Sequence, residues 1–380
     1  MILNPNGDQY YSVGNETFQN PLLMMQASKA TGQEPVYHFF DEIIDTMDWS
    51  VDYTKTHQWE TLLNQRALEL RRKYKKLRIW FSGGRDSFLV LKTFLLNGIF
   101  IDEIAVIDFA YTGCEFPFIM NWLRQNKHLL HKDTQVKEYR SDESVFYKRV
   151  KGNWAEHPTL SGISPVLTIG EIQRHMMNKE NPDNTAEISG FEKPRVFKGL
   201  MDDSWTQYYN DQDSKFWMGV VEHEPFFMSK TVPLFEYNTH HLINYIEDVV
   251  MPKYQIINYE EINTNFFKTV GWIEQNGIRV HEPAAQISPY YEDFCKASLR
   301  TEFAHIFTGN PILKLQHASP DSTRIGTQQY AEIEQRLDPE LMSKLKDGVM
   351  IADSMYEEFY QHGNPIYNTK PIYSKFHPIK

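Results

Sequence analysis

The chain has 380 residues, a formal charge of −11, 41% hydrophobic and 23% charged residues, a composition that suits a folded protein of one or two domains and excludes a disordered one. Its overall field disfavours general affinity for nucleic acid, and no apolar run is long enough to span a bilayer. Two cysteines, Cys114 and Cys295, exclude a four-cysteine zinc site or iron–sulfur cluster within one chain and point to a reducing, cytoplasmic setting.

Residues 1–50 mix proline, glycine, asparagine and aromatics, and are expected to form an irregular N-terminal extension with one or two short helices around 36–48. Leu62, Leu63, Ala67 and Leu70 recur at helical spacing and predict a helix over 59–76. Its end carries the one basic run, Arg71 to Lys76, which reads as cations complementing a helix C-terminus. A strand is predicted at 77–81 and a helix at 86–97, closed by Asn97-Gly98. Strands at 102–109 and 134–139 flank a helix at 116–131. Strand alternating with helix predicts a doubly wound, mostly parallel α/β sheet with right-handed crossovers and helices on both faces. The polar stretch 180–194 is expected to be a loop or insertion. Further strands are predicted at 195–200 and within 222–232, and a helix at 239–250 that stops before Pro252. Beyond 260 the pattern is mostly helical, then an extended tail with Pro365, Pro371 and Pro378.

The chemistry concentrates in Ser82-Gly83-Gly84-Arg85-Asp86-Ser87. Glycines there let the main chain approach a ligand closely. The following helix start presents free N–H groups and the positive end of its dipole, which favours an anion. Neither a Walker A loop nor a dinucleotide fingerprint is present. The segment instead resembles the Ser-Gly-Gly-x-Asp-Ser signature of the PP-loop, or N-type ATP pyrophosphatase, superfamily. After the second predicted strand, Asp108 and Thr112-Gly113-Cys114-Glu115-Phe116-Pro117 are similar to a segment of the phosphoadenosine phosphosulfate reductase family, a branch of that superfamily. Lys198-Gly199 with Asp203-Ser204, and Pro233 with Thr239, resemble its later elements. Met201 and Gln207 stand where the family carries arginines, which implies a different anionic ligand, or none, at that end.

The resemblance covers about residues 75–255. It implies an adenine nucleotide alpha hydrolase-like fold in a nucleotide-binding domain over 59–258, between an extension at 1–58 and a helical C-terminal region with an extended tail at 259–380. It also implies an enzyme that binds ATP, or an adenylyl sulfate-type nucleotide, with Mg²⁺. That enzyme would cleave between the α- and β-phosphates and transfer the adenylyl group to an acceptor. Asp86 and Arg85 are the implied catalytic residues, and Asp86 would help to position Mg²⁺. The implied nucleotide-binding residues are Ser82, Gly83, Gly84, Arg85, Asp86, Ser87, Asp108, Thr112, Gly113, Glu115, Lys198 and Gly199. The expected partners are therefore small molecules, and a homo-oligomer is compatible.

Two other readings stay open. One is a sulfonucleotide reductase or sulfotransferase-type enzyme using Cys295 or Cys114 as a thiolate, although Cys295 sits beside acidic residues in a pattern that suits a buried structural cysteine. The other is a non-catalytic nucleotide-binding module. His240-His241 and Glu222-His223-Glu224 have no companion ligand at a recognised metal spacing, and are read as solvated helix and strand residues.

Overall fold

Leu77, Ile79 and Phe81 alternate with Arg78 and Trp80 in and just after the strand β4, Lys76–Trp80. The pleat therefore gives it one apolar and one polar face. In the computed structural model of the protein this strand lies at the centre of a five-stranded parallel sheet. The structure describes residues 9–18, 30–109, 116–141, 183–190, 194–198, 205–208 and 222–245. It also describes short pieces at 24, 27–28, 247–248, 273–275, 278–280, 356–361, 364–369, 374 and 377–379.

Three strands precede β4: β1 (Gln9–Val13), β2 (Glu16–Phe18) and β3 (Val36–Phe39). They form an antiparallel sheet in the order β2-β1-β3, where an irregular extension was expected. A short helix α1, Asp41–Ile44, follows. The alternating burial of Gln9–Val13 explains the sheet: Tyr11 and Val13 turn inward. Tyr11, Tyr37 and Phe39 share one buried apolar cluster with Leu77, Ile79 and Ile104 of the parallel sheet. Each such side chain removed from water contributes about 1.5–3 kcal/mol.

The parallel sheet comprises β4, β5 (Glu103–Phe109), β6 (Gln135–Ser141), β7 (Thr185–Ser189) and β10 (His223–Pro225), in the order β10-β7-β4-β5-β6. Helices α2 (Trp59–Lys73), α3 (Arg85–Leu96) and α4 (Phe116–Gln125) alternate with its first strands. Trp122 of α4 packs on Phe81 and Phe88 with ring centroids 5.7 and 5.8 Å away, which seats α3 and α4 on the apolar face. Helix α5, Leu234–Tyr245, begins directly after Pro233, earlier than its periodicity suggested. It is tied to α2 by Trp59 Nε1 donating to Asn238 Oδ1 at 3.0 Å.

A further expectation is corrected at β7. Residues 180–194 are not simply a loop, because they contain β7, the strand next to β4. Its central Glu187 looked like a loop residue in the sequence, but it is 3% exposed and its carboxylate is matched across the sheet by Arg78 and Trp80. The strand expected at 195–200 is present as β8 (Arg195–Lys198), in a separate sheet. It pairs antiparallel with β9 (Trp205–Tyr208), which pairs with the C-terminal strand His377–Ile379. The helical reading of 259–380 falls largely outside the described residues. The pieces described there include two strand pairs, 273–275 with 278–280 and 356–361 with 364–369, besides the strand 377–379. No helix among the described residues is long and apolar enough to cross a membrane.

Candidate anion-binding site

β4 pairs with β5 on one side and β7 on the other, so the strand order reverses at β4. In open parallel sheets ligands sit outside the carboxyl ends of the strands at such a point. The chain leaves β4 there, held by Phe81 N–H donating to Ala105 O at 2.9 Å. It then turns through Ser82-Gly83-Gly84 into α3. Gly83 has φ +69°, in the left-handed region that only glycine adopts without strain. Gly84 is the N-cap of α3, and as a glycine it offers no side chain to cap the first turn. A twelve-residue helix thus opens at the loop.

The loop braces itself. Ser87 Oγ donates to Gly84 O at 3.1 Å and accepts from Ser82 N–H at 3.2 Å. With its own proton committed, Ser87 Oγ must accept from Ser82 Oγ, 3.1 Å away. Ser82 Oγ in turn accepts from Gly84 N–H at 3.4 Å, the longest bond of the set. Ser87 is buried and spends its hydroxyl within the turn, whereas Ser82 is exposed. Asp86 is half-buried in the first turn of α3, and Asp108 is half-buried near the end of β5, the strand alongside. Both carboxylates therefore lie on elements that open or end at the carboxyl edge of the sheet.

One residue of this site escaped the sequence reading. Gly190 follows β7, and a Cβ built on it would stand 2.8 Å from the Asp86 carbonyl carbon and 3.0 Å from Ser87 N. The end of β7 is therefore in direct contact with the first turn of α3. Gly190 thus stands at the carboxyl end of the fourth parallel strand.

Other expected site residues lie elsewhere or outside the described residues. Arg85 opens α3, but its side chain is outside the description. Thr112, Gly113, Glu115, Cys114, Gly199 and Cys295 also lie outside it. Lys198 ends β8 in the separate antiparallel sheet.

The polar face of the sheet carries an ion network centred on Arg78. Its guanidinium donates to Glu103 at 2.6 Å and to Glu187 at 2.5 Å. Trp80 Nε1 donates to Glu187 at 2.8 Å, Lys137 sits 2.6 Å from Glu103, and the Tyr139 hydroxyl also donates to Glu103. Burial pushes Glu187 up to about 7 against the pull of Arg78. Burial also acts on Glu103, but Arg78, Lys137 and Tyr139 outweigh it and hold that carboxyl below its ordinary value.

Three of the five residues read as solvated are buried, with His223 6% exposed, Glu224 8% and His240 8%, while Glu222 and His241 are half-buried. Their chain neighbours suggested exposure, and only the packing of β10 and α5 reversed it. No cluster of three or more His, Cys, Asp or Glu suited to a metal ion occurs among the described residues. The sequence matches no family profile and no curated protein.

Proposed function

We propose that the chain binds ATP or a related adenine nucleotide at Ser82–Ser87 on the PP-loop plan, and activates an acceptor by adenylyl transfer with release of pyrophosphate. The observation that carries this reading is the position of the glycine turn at the point where strand order reverses, opening directly into the start of α3 with glycine as its N-cap. Phosphate oxygens would take the first-turn N–H groups of α3 together with Gly84 N–H. The 3.4 Å bond of that amide to Ser82 Oγ is the contact most easily given up. Gly83 and Gly84 let the main chain reach the phosphates without a Cβ between.

Magnesium, when bound, would neutralise phosphate charge, and one or two carboxylates plus phosphate oxygens suffice to hold it. Asp86 in the first turn of α3 suits that role, with Asp108 on the neighbouring strand. Catalysis in this reading is positioning and charge neutralisation. The test is calorimetric titration with Mg·ATP, followed by assay of pyrophosphate release with candidate acceptors. Binding is expected, and Asp86→Ala should lower turnover by about 100-fold or more. Absence of nucleotide binding at millimolar concentration, or full turnover in Asp86→Ala, would overturn the reading.

A further inference from the structure

Ser189, the last residue of β7, ends a buried hydrogen-bond chain that starts in the N-terminal sheet. Gln9 Nε2 on β1 lies 2.8 Å from His223 Nδ1 on β10. His223 Nε2 lies 2.8 Å from Ser189 Oγ. The three residues are 7%, 6% and 1% exposed. Phe40 packs against the imidazole edge-on at 6.3 Å.

Proton bookkeeping separates this chain from a nucleophile and its base. The Gln9 amide donates to Nδ1, so the imidazole carries its proton on Nε2 and donates to Ser189 Oγ. A histidine in that tautomer does not take the serine proton. Burial keeps the ring neutral, pushing its value down to about 3. Ser189 is also sealed from solvent.

What the chain controls is the next residue. The Ser189 carbonyl accepts Phe226 N–H at 2.9 Å, so side chain and main chain are both held. Gly190 then rests on the Asp86–Ser87 peptide with no room for a methyl group. A small shift of the β7 end therefore moves the first turn of α3.

We propose that Gln9, His223 and Ser189 are positioning residues, through which the N-terminal sheet sets the placement of Gly190 and hence the geometry of the phosphate-binding turn. The link to phosphate rests on the functional reading above; the positioning of α3 does not.

The test uses the full chain and the variants Gln9→Leu and Ser189→Ala. Hydrogen exchange is followed in peptides covering 81–90, where the amides of Ser82 and Phe88 are bonded within the turn. Peptides from the α2 interior serve as the reference. Exchange at 81–90 is expected to rise about tenfold with α2 unchanged, and Mg·ATP affinity to fall about fivefold. In a cycle on affinity with Gly190→Ala, the two substitutions should be non-additive. Unchanged exchange at 81–90, or an equal rise in α2, overturns the proposal even if Gly190→Ala fails to fold. So does additivity in the cycle. Faster local exchange in a protein that binds no nucleotide would sink the nucleotide reading and leave the positioning role standing.

Discussion

Gly190 touches the main chain of Asp86: a Cβ on Gly190 would stand 2.8 Å from the Asp86 carbonyl carbon, with backbone rather than a flexible side chain in the way. This contact joins the fourth parallel strand to the helix start at the candidate site. Gly190→Ala must push α3 away from β7. It is expected to cost about 1–3 kcal/mol, the usual cost of overpacking, and to weaken nucleotide binding. Urea unfolding and Mg·ATP titration check both effects. Wild-type affinity in the alanine variant would show that the contact is irrelevant to the site.

Glu236 on α5 is 7% exposed, and its Oε2 has no hydrogen-bond partner among the described residues. Burial, helped by Asp48, pushes its carboxyl up to about 7 from an ordinary 4.5. A raised carboxyl binds more protons folded than unfolded, so its contribution to stability is present below 4.5 and is lost as pH rises through about 7. Glu236→Gln is therefore expected to stabilise the protein at pH 8 by about 3 kcal/mol. It should make little difference at pH 4. Denaturant midpoints at the two pH values decide it.

Arg66 is 2% exposed and holds α2 to β10. Its Nη2 donates to Glu224 Oε2 at 2.7 Å, Nη1 to Glu69 Oε2 at 3.0 Å, and Nε to the Phe226 carbonyl at 3.0 Å. Glu224 is also paired with Lys73 at 2.6 Å and accepts from the Tyr74 hydroxyl at 2.5 Å. Removing one partner of a buried pair leaves an uncompensated charge, so Arg66→Met is expected to cost about 3–5 kcal/mol. Adding Glu224→Gln should recover part of that loss, measured by calorimetric melting of the single and double variants.

Acid should act through His223 and Glu224 in turn. Burial lowers His223 to about 3 from 6.5, so the unfolded chain binds the extra proton first, and stability is lost as pH falls below 6.5. Glu224 is held down at about 2 because Arg66 and Lys73 outweigh its burial, and its contribution is lost as pH falls below 4.5. In His223→Gln the decline between pH 6.5 and 4.5 should be smaller than in the wild type, with the steeper fall below 4.5 kept. Urea midpoints across pH 7 to 3 would reveal identical profiles if the imidazole were not the titrating group.

The strand–turn–helix of residues 76–96 was legible because its signals are local. An apolar alternation, two glycines at the turn and an apolar run after Asp86 each act over a few residues. The helix from Trp59 and the strand at Glu103–Phe109 were legible for the same reason. β7 was not, because Glu187 at its centre is tolerated only by Arg78 and Trp80 from the neighbouring strand. The N-terminal sheet was missed because Gln9–Val13, Glu16–Phe18 and Val36–Phe39 gain their stability from one another and from a shared core. His223 and Glu224 looked solvated because their partners Gln9 and Arg66 are distant in the chain.

By itself the sequence determined the α/β alternation and the glycine turn at 82–84, since backbone freedom and hydrophobic periodicity are properties of neighbouring residues. Tertiary structure alone decided the order β10-β7-β4-β5-β6, the burial of a charged strand, and the meeting of Gly190 with Asp86. Those outcomes depend on charge pairing and close packing between segments far apart in the chain, which no local pattern encodes.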